Sequence, residues 1–144
     1  MALLRAELSR NPGDYYYLFQ MGLACKSDQP QLAKSLFLQA LRQGGDAMPA
    51  HLAEQAHMRL AQLCLQSDAL PASIAHSRES LSMNPANLIS RVCLITALVS
   101  SGGFRQALPH IEFVLGNGLG RVPNPGDFVQ LRKLCLEKSG YSEP

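Results

Sequence analysis

A chain of 144 residues with 47% hydrophobic content is long enough to enclose one sizeable core. Aromatics are few, at 6% with no Trp, while Ala, Leu and Gln are common, so helices are favoured over sheets. The 13 basic and 11 acidic residues are scattered and leave a formal charge of +2, which argues against a dedicated nucleic-acid or anionic-membrane surface. No apolar run reaches the ~18 residues of a transmembrane helix, and Met1-Ala2-Leu3-Leu4-Arg5 carries no basic n-region ahead of its apolar residues. Neither a membrane span nor a signal peptide is expected, and the cytoplasm is the default location. Cys25, Cys64, Cys93 and Cys135 lack CxxC spacing and sit in apolar helical stretches, so they are expected as free, buried thiols in a reducing compartment.

Residues 1–10 read as a helix with Leu4 and Leu8 on one side, and Asn11-Pro12-Gly13-Asp14 stops it. Asp14 is a good N-cap for the next helix, which carries Met21, Gly22 and Cys25. Ser27-Asp28-Gln29-Pro30 makes a turn, and Pro30 opens a helix bearing Ala33, Phe37 and Ala40 before a Gly C-cap at Gly44-Gly45. A further helix starts near Pro49 or Ala50, Ser67-Asp68 caps its turn, and Pro71 begins its partner. That partner carries Ser73, Ser77 and Ser80 and so offers less apolar surface than its neighbours, and it is expected to make the weakest inter-helix contact. A helix from Leu88 follows, then a Ser100-Ser101-Gly102-Gly103 turn and a helix with Phe104, Ala107, Ile111 and Leu115. Pro109 falls in its early turns, where unpartnered N–H groups are expected to tolerate it. A Gly/Pro-rich loop from Gly116 to Gly126 precedes a capping box, Asp127 with Gln130, and a helix to about Lys138.

Several of these residues recur in register. Counting Glu54 as position one, Leu60 is seventh, Ala61 eighth, Cys64 eleventh, Ser73 twentieth and Pro85 thirty-second, and the unit closes at Asn87. The count restarts at Leu88, with Leu94 seventh, Leu98 eleventh, Phe104 seventeenth and Ala107 twentieth. The Tyr15 unit places Met21, Gly22 and Cys25 at seven, eight and eleven. A helix–turn–helix unit with a period of about 34 residues resembles the tetratricopeptide repeat, or TPR. The resemblance covers most of the chain. It divides it into a half repeat at 1–12, repeats at 13–48, 49–87 and 88–121, and a half repeat or capping helix at 122–144. It implies an all-α, right-handed solenoid of antiparallel helix pairs, in which the first helix of each pair lines a concave groove. Small residues at position eight let the paired helices approach closely.

The family's inward-facing positions, the second, fifth, ninth and twelfth, fall on Tyr16, Phe19, Leu23 and Lys26 in the first full unit. They fall on Gln55, Met58, Gln62 and Leu65 in the second, and on Ile89, Val92, Thr96 and Val99 in the third. This largely apolar groove suits a peptide, an amphipathic helix or a neighbouring domain, so a non-catalytic protein–protein interaction scaffold is expected. Self-burial of several of these side chains is the competing reading. Some family members hold a peptide carboxylate with Lys, Asn and Arg. Phe19, Leu23, Ile89 and Cys93 stand at such positions here and argue against that clamp.

No catalytic motif is present: there is no HExxH, no GxSxG and no phosphate loop, and Gly116-x-Gly118-x-Gly120 follows a helix rather than a strand. His51 and His57 are six apart on divergent faces, so His51, His57, His76 and His110 are expected as partly exposed helix residues rather than metal ligands. No cofactor is expected, and position eleven explains Cys25, Cys64 and Cys135 as core residues. Two alternatives stand beside the scaffold reading. The stretch from Leu8 to Gly22 resembles repeat segments attached to bacterial family-2 glycosyltransferases. That implies an excised repeat domain of a larger enzyme serving regulation, docking or self-association, although no DxD pair is present to carry the activity. The other is end-to-end self-association, with Leu4 and Leu8 against Phe128 and Leu131 of a neighbour.

Overall fold

The structure is a computed structural model that describes residues 14–117 and 125–140. The helix expected at 1–10, the stop at 11–13, the centre of the loop at 118–124 and Tyr141 lie outside the described residues. Among the described residues there are seven α-helices and no strand, so the fold is all-α. In chain order they are α1 (Tyr15–Cys25), α2 (Pro30–Gly44), α3 (Ala50–Gln66), α4 (Leu70–Met83), α5 (Leu88–Ser100), α6 (Phe104–Asn117) and α7 (Pro125–Lys138). A single 3-10 turn at Gly45–Ala47 links α2 to α3.

Each helix packs on the next in an antiparallel sense. Gly22 of α1 faces Phe37 of α2, while Tyr15, at the start of α1, lies beside Gly44 at the end of α2. Ser73 Oγ of α4 donates to the Ala61 carbonyl of α3 at 2.8 Å, Ser90 Oγ of α5 donates to Ser80 Oγ of α4 at 2.6 Å, and Arg132 of α7 pairs with Glu112 of α6. The ends of the helices follow from local chemistry. Asp14 accepts the Tyr16 N–H at 2.9 Å, Asn87 accepts the Ser90 N–H at 3.0 Å, and Pro30 and Pro71 sit in first turns where a missing N–H costs nothing. Asp68, at φ 61°, takes the left-handed position after α3, and Ser67 Oγ returns to the Leu63 carbonyl.

Gly22 is required by packing rather than by backbone angle. A Cβ there would stand 2.9 Å from the Phe37 ring, whose edge also meets Phe19 with centroids 5.6 Å apart. Leu18, Phe19, Met21, Ala33, Leu36, Phe37, Ala40, Ala56, Leu60 and Leu63 form one apolar cluster across α1, α2 and α3. A second cluster joins α4 to α7 through Leu81, Leu94, Ile95, Leu98, Ala107, Ile111, Val114, Phe128 and Cys135. Between them lies a polar seam. Glu54, Ser73, Ser77, Ser80 and Ser90 are all buried, and the Asn87 side-chain amide donates to the Glu54 carboxylate.

Four expectations are corrected. The serine helix α4 makes the most extensive helix contact in the described structure, with α3, rather than the weakest. Ser73, Ser77 and Ser80 are small enough to let α4 settle close to α3 and α5, and Ser73 and Ser80 add hydrogen bonds in place of missing apolar area. Helix α6 runs through Gly116 to Asn117, whose side chain donates back to the Phe113 carbonyl at 3.1 Å. Helix α7 begins at Pro125, so Asp127 lies inside the first turn, where its charge complements the helix dipole, rather than at the N-cap. Pro109 is the sixth residue of α6, beyond the turn whose N–H groups lack partners, and it does remove a helical hydrogen bond.

Gly22→Ala is expected to cost about 1–3 kcal/mol, because the Phe37 ring must move to admit a methyl group. Ser77 Oγ is buried with no partner among the described residues, so Ser77→Ala is expected to be neutral or to stabilise by about 1 kcal/mol. Urea denaturation of both variants checks the contrast.

Candidate functional site

The groove residues named from the sequence fall on three first helices of successive hairpins, α1, α3 and α5. Tyr16, Gln55 and Ile89 occupy one register position, and Tyr16 and Ile89 are 49% and 47% exposed. Gln55 is half-buried and donates to Glu54 Oε2 at 3.0 Å. Leu23, Lys26, Gln62 and Val92 are half-buried and Thr96 is exposed. Phe19 and Met58 are different: at 5% and 3% exposure they are enclosed, Phe19 against Phe37 and Met58 beside the Asn87 amide. Those two side chains are core, and they leave the accessible face more polar than the sequence suggests.

At the tip of the first hairpin a cavity of about 340 Å³ separates the α1–α2 turn from the end of α3. Lys26, Ser27, Pro30, Arg59, Gln62, Leu63 and Gln66 line it, so it continues the line of Lys26 and Gln62. A second, more open hollow of about 470 Å³ lies between α6 and α7 at Arg105, Leu108, Pro109, Glu112 and Leu136.

The histidines at 57, 76 and 110 are partly exposed, as expected, but their pairing was not anticipated. His57 and His76, from α3 and α4, meet with their Nδ1 atoms 3.0 Å apart. Arg91 of α5 meets His110 Nδ1 of α6 at 2.8 Å, donates to the Pro85 carbonyl at 2.7 Å and lies 3.9 Å over the Phe113 ring. Both pairs join position four of a unit to position twenty-three, and His76 and His110 are themselves one period apart. That recurrence was the signal available in the sequence, hidden because the members of each pair differ in residue type. His51 remains exposed.

A neutral imidazole is needed at each pair, because one His must accept from the other and His110 must accept from Arg91. Burial pushes His57 and His76 below the usual 6.5, opposed by Glu79 at both, and the neighbouring His57 and Lys34 add to the fall at His76. Burial, then Arg91 and Arg78, lower His110 in the same direction. The thiols behave as core groups: all four cysteines are buried, burial raises Cys64 and Cys135, and it pushes Cys93 up to about 11. Among the described residues no group of three or more His, Cys, Asp or Glu is placed to hold a metal ion. No helix among them is long and apolar enough to cross a membrane. Phe128 is packed in the chain's own second cluster and Leu131 is half-buried against it, while Leu4 and Leu8 lie outside the described residues.

The chain matches no protein-family model and no curated protein sequence. The reading of its function therefore rests on its own residues.

Two outcomes follow. Phe19→Ala and Met58→Ala are each expected to cost about 2–5 kcal/mol by urea denaturation, since each opens a cavity in enclosed structure. The three lowered histidines bind protons less readily folded than unfolded. Their contribution is thus complete above 6.5 and is lost as pH falls below 6.5 through their depressed values. Stability measured from about pH 7 to about pH 5 is expected to fall, and His76→Gln to flatten that fall.

Proposed function

We propose that this chain is a non-catalytic protein-interaction module of the TPR type, a solenoid of helix pairs that binds a partner segment along α1, α3 and α5. The observation that carries the reading is the equivalence of Tyr16 and Ile89. They hold the same register position on the first helices of their hairpins, and both keep about half their surface in water. A large apolar side chain left in water at a repeated position is a contact point for a partner. Antiparallel pairing of successive helices, the close approach at Gly22, and the recurrence of position-four to position-twenty-three contacts support the same reading. On this view Leu23, Val92 and Thr96 extend the contact face, Lys26, Gln55 and Gln62 give it a polar side, and Phe19 and Met58 hold the helices that present it. The partner is a protein segment with an apolar stripe, and the default location is the cytoplasm.

Photo-crosslinking tests this. A benzoylphenylalanine at position 89 is expected to trap a discrete set of partners, while the same residue in place of Leu38, a comparably exposed apolar side chain on α2, traps none of them. Equal trapping from both positions would count against the face.

A further inference from the structure

The cavity at the tip of the first hairpin has an electrostatic character unlike the rest of the face. Two cations, Lys26 and Arg59, line it, and no carboxylate does. Ser27, Gln62 and Gln66 supply a hydroxyl and two amides, and Leu63 closes one side. Pro30, the first residue of α2, forms part of the wall, and no side chain caps that helix. The positive end of a 15-residue helix therefore adds to the two formal charges.

Among the described residues Arg59 meets no counter-charge there. It is half-buried, its Nε is buried with no acceptor, and its hydrogen bond to Gln62 Oε1 is long, at 3.4 Å. A desolvated guanidinium is costly unless an acceptor meets it, and among the described residues none does so fully. Lys26 likewise has no ion-pair partner among them.

We propose that this cavity is an oxyanion site for a phosphate group, held by Arg59 and Lys26 beside the N-terminus of α2. Two positive side chains and a helix N-terminus match the double charge of a phosphate monoester better than the single charge of a carboxylate. The planar guanidinium takes two phosphate oxygens, Lys26 acts as a point charge, and the Ser27 hydroxyl and the Gln62 and Gln66 amides are further donors. The volume admits a phosphate group together with the atoms that carry it. Because Lys26 and Gln62 also belong to the partner face, the proposal deepens the interaction reading. The phosphate belongs either to a small free ester or to a phosphorylated side chain of the bound segment.

The test is a titration of the 15N-labelled full chain with inorganic phosphate at constant ionic strength, followed by amide shifts. Saturable shifts confined to Lys26, Ser27, Gln31 and residues 59–66 are expected in the low-millimolar range. Arg59→Gln is expected to weaken binding on the order of 10-fold or more, and Lys26→Gln to weaken it by less. Arg42→Gln, which removes an exposed cation outside the cavity, leaves binding unchanged. If Arg59→Gln does not fold, Lys26→Gln at its half-exposed turn position carries the test. A phosphoserine peptide that binds more tightly than inorganic phosphate and its unphosphorylated form assigns the group to a partner segment; equal binding of the peptide and free phosphate assigns it to a small ester. Shifts that do not saturate, acetate binding as tightly as phosphate, or unaltered binding by the cavity variants would overturn the proposal. None of these outcomes depends on a protein partner, so they separate from a failure of crosslinking at position 89.

Discussion

Asn87 ties two hairpins together through a single side chain. Its Oδ1 caps α5 by accepting the Ser90 N–H, and its Nδ2 reaches across to the Glu54 carboxylate of α3, with Met58 Sδ at 3.3 Å. One side chain thus satisfies an exposed helix end and a buried acceptor in a different hairpin. Glu54 is 5% exposed, so its oxygens need donors from the protein itself, and Asn87 and Gln55 are those donors. The geometry leaves little latitude: if α5 moved by one turn along α3, the bond from Asn87 to Glu54 would be lost while the local cap at Ser90 stayed.

This polar contact sits where the apolar core is divided. The cluster of α1 to α3 and the cluster of α4 to α7 share no residue, and buried serines lie along the boundary. A seam of small hydroxyl side chains brings helices close, and each hydrogen bond across it fixes register in a way that apolar packing alone does not. The same compromise recurs further along the chain, where Arg91 is enclosed between His110, the Pro85 carbonyl and the Phe113 ring. The accessible face at Tyr16 and Ile89, and the cationic cavity at Lys26 and Arg59, are positioned by these internal polar contacts as much as by apolar burial.

The helices themselves were legible in the sequence because their signals are local. Pro30, Pro71, Asp14 and Gly45 act on their own turns, and Gly22 with Phe37 marks a close helix crossing that the spacing of small and aromatic residues announces. The burial of Phe19 and Met58 was not legible. Phe19 is covered by Phe37 of its own hairpin and Met58 meets the Asn87 amide of the next, and periodicity alone does not say which apolar face a neighbour covers. The burial of Glu54 and Arg91 was hidden for a related reason. A charged side chain reads as solvent-facing until its partners are known, and Asn87 stands 33 residues from Glu54 while His110 stands 19 from Arg91. The misjudged serine helix shows the limit of counting apolar area, since Ser73 and Ser80 gain through hydrogen bonds what they lack in hydrocarbon. The cavity followed from no motif, because Lys26, Pro30 and Arg59 come from three helices or their ends and converge only in the folded chain.

Asn87, beside the extensive contact of α3 with α4, helps join two separately packed apolar halves into one cooperative unit. Native-state hydrogen exchange on Asn87→Ala, compared with the unaltered chain, addresses it directly. The amides of α1 to α3 and those of α5 to α7 are expected to exchange with a common opening free energy in the unaltered chain. In the variant that free energy falls by about 2–4 kcal/mol on at least one side and the two sides separate. Uniform protection in the variant, unchanged from the original chain, would contradict it.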